Sequence, residues 1–527
     1  MSWSAPFLAD LELATAPKWQ FFFQAVDLSG LEEVYGGPIS VGTHPDLCAN
    51  VGTDSSGAPL LMMKGPPTIQ GSQLSIRDWS TTSGTTTITV CGQWTTAKGR
   101  ITRGTVIEVK MGKVGQLATL YQRIAIGRVS NISGGPAEWT IELSDMLGIL
   151  AHRPVAGYSA LKVGGVVGAA LSADYTAGDT TIKISSISNI DYEAGQDGLA
   201  YVVPADGSEA FFVTFTGTAS TPDRLTGVAA LGTFGTTPIS IAVADGADVY
   251  DCVYVVDHPI NAVRKVWMST GAGTNGTYDT LPAQWGYGLS QGFFDNDDMD
   301  DEVADIVVVA AGNYRASLWS EVNVETPGDW IREFLSAFGC FIAMRQGVIT
   351  IRGASMATGR KRTPVLTVND GDIVNGSTVL VSMHDGAKDE AGRVYAYSGT
   401  GDDVADYSVF ATAPAVYADV YDMTRWAWSN ETRVREELLE RVKVYHCRLP
   451  ETWEVLTAGL RCMQLAVGDL IYVSSSLMVG RLTYGSSYGG VSARVCEVVQ
   501  VSPDIAANTV RLRFIAWPDD PENDIFQ

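Results

Sequence analysis

The densest set of candidate ligands in the chain is Asp295-Asn296-Asp297-Asp298-Met299-Asp300-Asp301-Glu302, six carboxylates in eight positions. Carboxylate oxygens at this density are the donors that a hard cation such as Ca²⁺ takes, and Asp295, Asp297, Asp298 and Asp300 are the candidate ligands. The run lacks the central Gly and the closing Glu of an EF-hand loop, so the expectation is a solvated acidic loop, with a divalent site or an interface contact as alternatives.

Other motifs suggest chemistry without the context it requires. Gly288-Leu289-Ser290-Gln291-Gly292 and Gly485-Ser486-Ser487-Tyr488-Gly489 fit G-x-S-x-G, but a hydrolase nucleophile needs a strained strand-to-helix elbow with an acid and a His supplied later in the chain. In a chain with 55 glycines, chance accounts for both. Gly271-Ala272-Gly273-Thr274-Asn275-Gly276 matches G-x-G-x-x-G after a strand-like Arg264–Met268, yet Thr277 to Pro282 does not open the helix that would meet a pyrophosphate. The five histidines, His44, His152, His258, His384 and His446, form no H-E-x-x-H and no catalytic pair. The many acids supply glycosidase-type pairs everywhere and single out none. No catalytic residue is assigned and no cofactor is expected.

Bulk properties narrow the function further. The chain has 527 residues, 46% of them hydrophobic, enough for roughly three to four domains. It carries 59 acidic against 36 basic residues, a formal charge of −23, which argues against nucleic-acid or anionic-membrane binding as the main role. The seven dispersed cysteines, without C-x-x-C, read as reduced and buried; a metal or cluster from Cys447, Cys462 and Cys496 is the minor alternative. No apolar run approaches the ~18 residues of a spanning helix, and the start of the chain lacks the pattern of a cleaved signal.

The elements read as mainly β. Candidate strands Leu74–Trp79, Thr85–Gln93, Thr105–Met111, Ile124–Ile132 and Trp139–Leu143 lead to Ser144 as a cap for a short helix Met146 to Leu150. Residues 161–255 turn to Ala, Gly, Thr and Ser, with strands Thr180–Ile184, Ala200–Val203, Ala210–Thr216 and Ile239–Val243 and Asp-Gly turns, which reads as an inserted β-module. Two helices are expected, Trp330 to Phe338 after a Thr326-Pro327 start with Gly339 as stop, and Ser429 to about Tyr445. Phe341–Arg345 and Val348–Arg352 frame a hairpin with Gln346-Gly347 at the turn, and Gly468–Ser474, Val491–Val501 and Asn508–Trp517 close the chain as a meander. The predicted architecture is a multidomain protein with few short helices: an N-terminal hub β-barrel domain (1–160), an inserted small β-module (161–255), a helix/hairpin α+β section (256–365) and a C-terminal hub β-barrel domain with one helix (366–527).

Taken together, the Arg103-Gly104-Thr105 strand start, the Trp139–Asp145 W-T-I-E-L-S-D corner, the Trp330–Phe338 helix with its x-Gly-x-Ile-x-Ile hairpin and the G-D-x-I-x-V meander resemble the central hub protein of tailed-bacteriophage tail tips and baseplates, including the N-terminal hub portion of tail-associated lysins. The module, through Gly207-Ser208-Glu209, Leu225-Thr226-Gly227-Val228 and Asp245 to Val249, resembles small β-modules of phage tail and fibre proteins. The resemblance implies a homotrimer whose two barrels per copy make a pseudo-sixfold ring. That ring would join the tail tube and distal tail protein, with the tape measure, to threefold spike or fibre proteins, and genomic DNA would pass without specific binding. The protein would be assembled in the host cytoplasm, reside in the virion and reach the host surface through partners. Phe21-Phe22-Phe23 and Ile525-Phe526 would suit an interface, with core as the plainer reading of the former. Rival readings are a distal tail or peripheral receptor-binding protein, whose module would read carbohydrate or another surface, and a polysaccharide depolymerase, for which no repeat of fixed period is present.

Overall fold

The computed structural model of the chain describes residues 3–13, 18–26, 37–75, 80–147, 150, 169–188, 190, 198–208, 210–230, 239, 241–252, 254–281, 286–310, 316–319, 327–353, 363–383, 393–398, 406–411, 418–422, 451–478 and 491–516. The expected helix at Ser429–Tyr445, the Gly485–Gly489 motif, the His446-Cys447 pair, the Val163–Gly168 flank and the Ile525-Phe526 tail lie outside the described residues.

The first strands carry the period-two pattern of a half-buried sheet. They are β1 (Trp19–Ala25), β2 (Ser40–Gly42), β3 (Leu61–Met63), β4 (Thr68–Gln70), β5 (Gln73–Ser75), β6 (Ser80–Thr82), β7 (Thr85–Gly92), β8 (Val106–Lys113), β9 (Gln122–Gly134) and β10 (Glu138–Asp145). Hydrogen bonding follows the order β2-β1-β8-β9-β10-β7-β3, with β4 on β7, and the end strands β2 and β3 lie against each other, so the barrel is nearly closed. Ile88 and Ile141 face each other across β7 and β10, both fully buried. Bulges at Val109/Lys110 and Glu142/Leu143 bend the long strands around the barrel. Phe21 and Phe23 enter the core, while Phe22, on the opposite face of β1, is buried beneath Tyr121 with ring centroids 5.6 Å apart. At the barrel's last corner the Asp145 carboxylate accepts the Leu147 N–H at 3.1 Å, so Asp145 holds the start of the helical turn that the sequence assigned to Ser144.

The module is built from β11 (Ala169–Ala170), β12 (Thr181–Lys183), β13 (Gly198–Val203), β14 (Phe211–Phe215), β15 (Gly217–Ser220), β16 (Asp223–Thr226), β17 (Ala229–Ala230) and β18 (Asp248–Cys252). They form a five-stranded sheet, β11-β18-β13-β14-β17, and a three-stranded sheet, β12-β16-β15, all antiparallel. Ala200, Val202, Val213, Phe215, Leu225 and Val249 belong to a core separate from that of the barrels. The Ile239–Val243 strand does not form among the described residues; Val243 makes a single bridge to Tyr175.

Beyond β19 (Tyr254–Asp257) the chain is more helical than its sequence suggests. Besides α1 (Ala5–Leu11), it forms α2 (Pro259–Met268), α3 (Asn296–Ala310) and α4 (Pro327–Ala337). The segment read as strand-like Arg264–Met268 is the end of α2. Its start is set by Pro259 and by His258, whose Nδ1 accepts the Ile260 N–H at 3.3 Å. The segment read as an acidic loop is the first half of α3. The expected helix before Gly339 is α4, with Ile331, Phe334, Leu335 and Phe338 buried and Gly339 at φ 61° as its stop. β20 (Ala316–Trp319) pairs with β19, and β21 (Cys340–Arg345) with β22 (Val348–Gly353) form the expected hairpin; Gln346 and Gly347 take φ 50° and 75°, as a primed two-residue turn requires.

The last sheet comprises β23 (Leu366–Asn369), β24 (Val379–Met383), β28 (Glu451–Ala458), β29 (Leu470–Ser475), β30 (Val491–Asp504) and β31 (Thr509–Ala516); between β24 and β28, β25 (Arg393–Ser398), β26 (Asp406–Ala411) and β27 (Ala418–Asp422) form a separate small sheet. The order β23-β29-β30-β31-β28-β24 curves into a half-barrel, parallel only between β23 and β29. β5 and β6, although N-terminal in sequence, add to this sheet through the Gln73–Gln500 pair. One continuous core joins the two barrels, from Trp3, Phe7 and Leu11 through Ile88 and Ile141 to Val455, Leu512 and Phe514. Each such side chain contributes about 1.5–3 kcal/mol relative to exposure.

The seam between the barrels is tight at Gly71. A Cβ there would stand 1.9 Å from the Val501 carbonyl oxygen, while the Gly71 N–H donates to Ser502 Oγ at 3.3 Å. Gly71→Ala is therefore expected to push β30 from the β4–β5 segment and cost about 1–3 kcal/mol, read as a lower urea midpoint. Gly99→Ala, at a position with nothing within 4 Å, serves as the control and should stay within about 0.5 kcal/mol of the parent.

Candidate functional site

The acidic run is ordered by the start of α3. Asp295 is the cap: its carbonyl accepts the Met299 N–H at 3.1 Å and its Oδ1 accepts the Asp298 N–H at 3.4 Å. Acids in a first helical turn also meet the positive end of the helix dipole. Successive helical residues point about 100° apart, so the carboxylates fan out rather than converge.

Asp298 faces the hairpin. It takes a bidentate fork from Arg352, Nε to Oδ2 at 2.9 Å and Nη2 to Oδ1 at 3.0 Å, together with Arg345 and the Thr350 hydroxyl at 2.6 Å. The same Arg352, 3% exposed at its side chain, turns Nη1 to Asp469 Oδ1 at 2.7 Å and to the Val467 carbonyl at 3.1 Å. Asp469 in turn accepts the Ala466 N–H at 2.7 Å. One guanidinium thus ties α3, the β21–β22 hairpin and the turn entering β29. Burial alone would raise the Asp298 carboxyl, but Arg352, Arg345 and Thr350 outweigh it and hold it far below the usual carboxylate range. Burial likewise works against charge on Arg352, and Asp469 and Asp298 overcome it.

Asp300 turns the other way. Fully buried Arg264 reaches its Oδ1, donates to Asn296 Oδ1 at 3.0 Å, and stacks over Tyr278 with the guanidinium 3.6 Å from the ring centroid. Tyr278 Oη donates to Asp300 Oδ1 at 2.9 Å. Glu302 accepts the Gly353 N–H at 3.0 Å, and Asp297 is exposed. Of the four expected ligands, Asp298 serves the hairpin, Asp295 caps α3 with Arg345 3.7 Å from its carboxylate, Asp300 serves Arg264, and Asp297 meets water. Among the described residues no three His, Cys, Asp or Glu side chains converge as a metal site.

The other motifs are absorbed locally. In Gly288–Gly292 the Ser290 Oγ accepts the Gly292 N–H at 3.4 Å and caps a short 3-10 turn, with no strand-to-helix elbow. The Gly271–Gly276 loop follows the end of α2, and an internal carboxylate fills it: Asp279 accepts Thr270 N at 2.6 Å, the Thr270 hydroxyl and Asn275 N at 2.8 Å. Cys462 and Cys496 are core thiols; burial pushes Cys462 up to about 11 and Cys496 higher still, away from the thiolate that metal or redox chemistry needs.

What the described residues leave uncovered is apolar surface. The β8–β9 connection exposes Val114, Leu117 and Leu120, with Leu117 72% exposed. On the half-barrel, edge strand β24 exposes Val379 and Val381 on one face, and Val365, Tyr472 and Leu477 are exposed around β23 and β29. Apolar clusters and bare strand edges of this kind mark contact surfaces. Sequence reading missed them and the Arg352 junction. No helix among the described residues is long and apolar enough to cross a membrane.

No protein-family profile matches the sequence, and no curated protein matches it. Among solved structures, the chain is similar to the prophage MuSo2 43 kDa tail protein from Shewanella oneidensis, with 11% identity over 87% of this chain and 97% of that one, at a TM-score of 0.33. It is also similar to the E. coli c3393 protein, a type VI secretion component described as structurally similar to the T4 bacteriophage tail proteins gp27 and gp5, with 9% identity over 88% and 77% and a TM-score of 0.31. A third similarity is to the p2 virion baseplate in its activated conformation, with 10% identity over 95% and 100% and a TM-score of 0.26.

Removing the Asp298 charge leaves Arg352 buried with half its partners. Asp298→Asn is expected to lose about 3–5 kcal/mol, measured by denaturant unfolding. Because the folded-state carboxyl titrates below its unfolded value of about 3.9, this contribution is complete above that pH and is lost as the pH falls. The parent should therefore lose stability below about pH 4 more steeply than Asp298→Asn.

Proposed function

We propose that the chain is a structural protein of a phage tail tip or baseplate, acting as a trimeric hub around the DNA channel. The observation that carries this reading is one core uniting a nearly closed barrel with a half-barrel, while each keeps an exposed apolar contact surface. A rigid pair of unlike barrels is the unit from which three copies build a ring of six. Such a ring offers six similar positions to a sixfold tube and distal tail protein on one side and threefold symmetry to a spike or fibre on the other. Contact between two different patches of one chain is heterologous, and it closes into a ring when the rotation per copy allows.

The work of such a hub is mechanical. The β8–β9 loop and β24 would hold neighbours by apolar burial and strand-edge pairing. The −23 charge suits a conduit, since phosphate that meets carboxylate rather than Lys or Arg releases no counterions and does not adhere. The distal tail reading assigns the same surfaces to a sixfold ring, so stoichiometry separates the two.

Native mass spectrometry and electron-microscopy class averages of the purified chain should give a threefold particle. Leu117→Asp, which changes an exposed side chain and spares the core, should weaken assembly at least tenfold by sedimentation while leaving the melting temperature of the subunit unchanged. A sixfold particle would favour the distal ring, and a monomer at every concentration would end both readings.

A further inference from the structure

The chain contains two Asn-Gly pairs, Asn275-Gly276 and Asn375-Gly376, and the fold holds them in opposite ways. Asn275 is half-buried and both polar atoms of its side chain are engaged: Nδ2 donates to the Met268 carbonyl at 2.8 Å and to the Leu289 carbonyl, and Oδ1 accepts the Gln291 N–H at 3.2 Å. Its own N–H donates to Asp279 at 2.8 Å, and the Gln291 side chain stands where a Cβ on Gly276 would go. Asn375 and Gly376 instead lie exposed at the apex of a turn, closed by the Ser377 N–H on the Val374 carbonyl at 3.0 Å, with Gly376 at φ 78°. Among the described residues neither the Asn375 side-chain amide nor the Gly376 N–H has a hydrogen-bond partner, and beyond its chain neighbours nothing lies within 4 Å of where a Gly376 Cβ would stand.

We propose that Asn375 is a site of spontaneous deamidation in the folded protein and that Asn275 is protected from it. The Gly376 backbone nitrogen attacks Cγ of the Asn375 side chain. The bond from Cγ to the amide nitrogen breaks, and that NH₂ leaves with the proton of the attacking nitrogen as ammonia, closing a five-membered succinimide. One water then opens the ring at either carbonyl, giving Asp or, with the chain rerouted through the side chain, isoaspartate. Glycine presents no side chain to hinder the attack, and the exposed apex can rotate to bring the nitrogen onto Cγ because neither group is held. At Asn275 the same closure would first have to break three side-chain hydrogen bonds in a half-buried loop. The position gives the product its effect. Before the turn, the Val374 N–H donates to the Leu456 carbonyl of β28 at 2.8 Å, and after it β24 pairs with β28 from Val379 opposite Glu454. The Ser377 hydroxyl clamps the turn, donating to the Val374 carbonyl at 2.6 Å and accepting the Leu456 N–H at 3.1 Å. Isoaspartate inserts a backbone methylene and a carboxylate between these two paired stretches, so it loosens edge strand β24 and leaves the core intact. This chemistry does not depend on the hub reading or on the number of copies in the assembly.

The purified full chain, kept folded at mildly alkaline pH and sampled over weeks, should gain about 1 Da at residue 375 in peptide maps, resolved into two products of equal mass. The gain should be at least tenfold faster than at Asn275. Asn375→Gln, whose longer side chain would have to close a six-membered ring, should slow it at least tenfold. Hydrogen exchange of the aged chain should quicken at 379–383 and stay as in the fresh protein across β7 and β10. The proposal fails if Asn375 stays intact in the folded chain while a synthetic peptide of residues 372–380 converts, or if Asn275 converts as fast as Asn375. Its claim on β24 fails if exchange at 379–383 is unchanged once residue 375 has converted.

Discussion

A guanidinium almost out of reach of water is the constraint around which the middle of this protein is arranged. Arg352 can stay charged there only because Asp298 and Asp469 approach from two sides and a backbone carbonyl takes a remaining proton. An ion held in this way adds little net stability compared with well-packed apolar side chains, but its geometry tolerates few alternatives. The helix carrying Asp298, the hairpin carrying Arg352 and the turn carrying Asp469 must therefore arrive in one relative position. The half-barrel, whose strand β29 starts at that turn, is oriented with them.

The second constraint is apolar. The two barrels do not pack as finished bodies with polar skins; they share a core, into which α1 inserts Phe7 and Leu11. Trp3 fastens this segment by donating Nε1 to the Arg123 carbonyl at 2.8 Å and its N–H to Gln346 at 2.7 Å. A pair joined in this way moves as one unit. The module, with its own separate core, is free of that requirement.

How much of this could be read from the sequence depended on whether the signal was local. The β21–β22 hairpin and the closing meander follow from turn residues and period-two runs that lie within a few positions of each other. α4 was legible because Ile331, Phe334, Leu335 and Phe338 mark one face and Gly339 ends it. α2 was not, because it spans only ten residues and the Arg264–Met268 stretch taken by itself is too short a window to tell helix from strand. The acidic run was read correctly as charge and incorrectly as a loop: carboxylates that favour a helix start are the same residues that favour a solvated turn. The Arg352 junction joins positions far apart in the chain. It leaves no mark within any short window of one sequence.

The tight approach of Gly71 to Val501 also has a bearing on how the molecule is made. The hydrogen bond at that seam spans 431 positions, so the first barrel emerges during synthesis long before the strand that will cover its flank. Until β30 is made, Gly71 and β5 present an unpaired edge beside a half-finished apolar interior, the condition in which nascent chains associate wrongly. Rapid production should therefore favour tangled copies over native ones, and slower synthesis or a chaperone that shields this segment should raise the yield of folded protein.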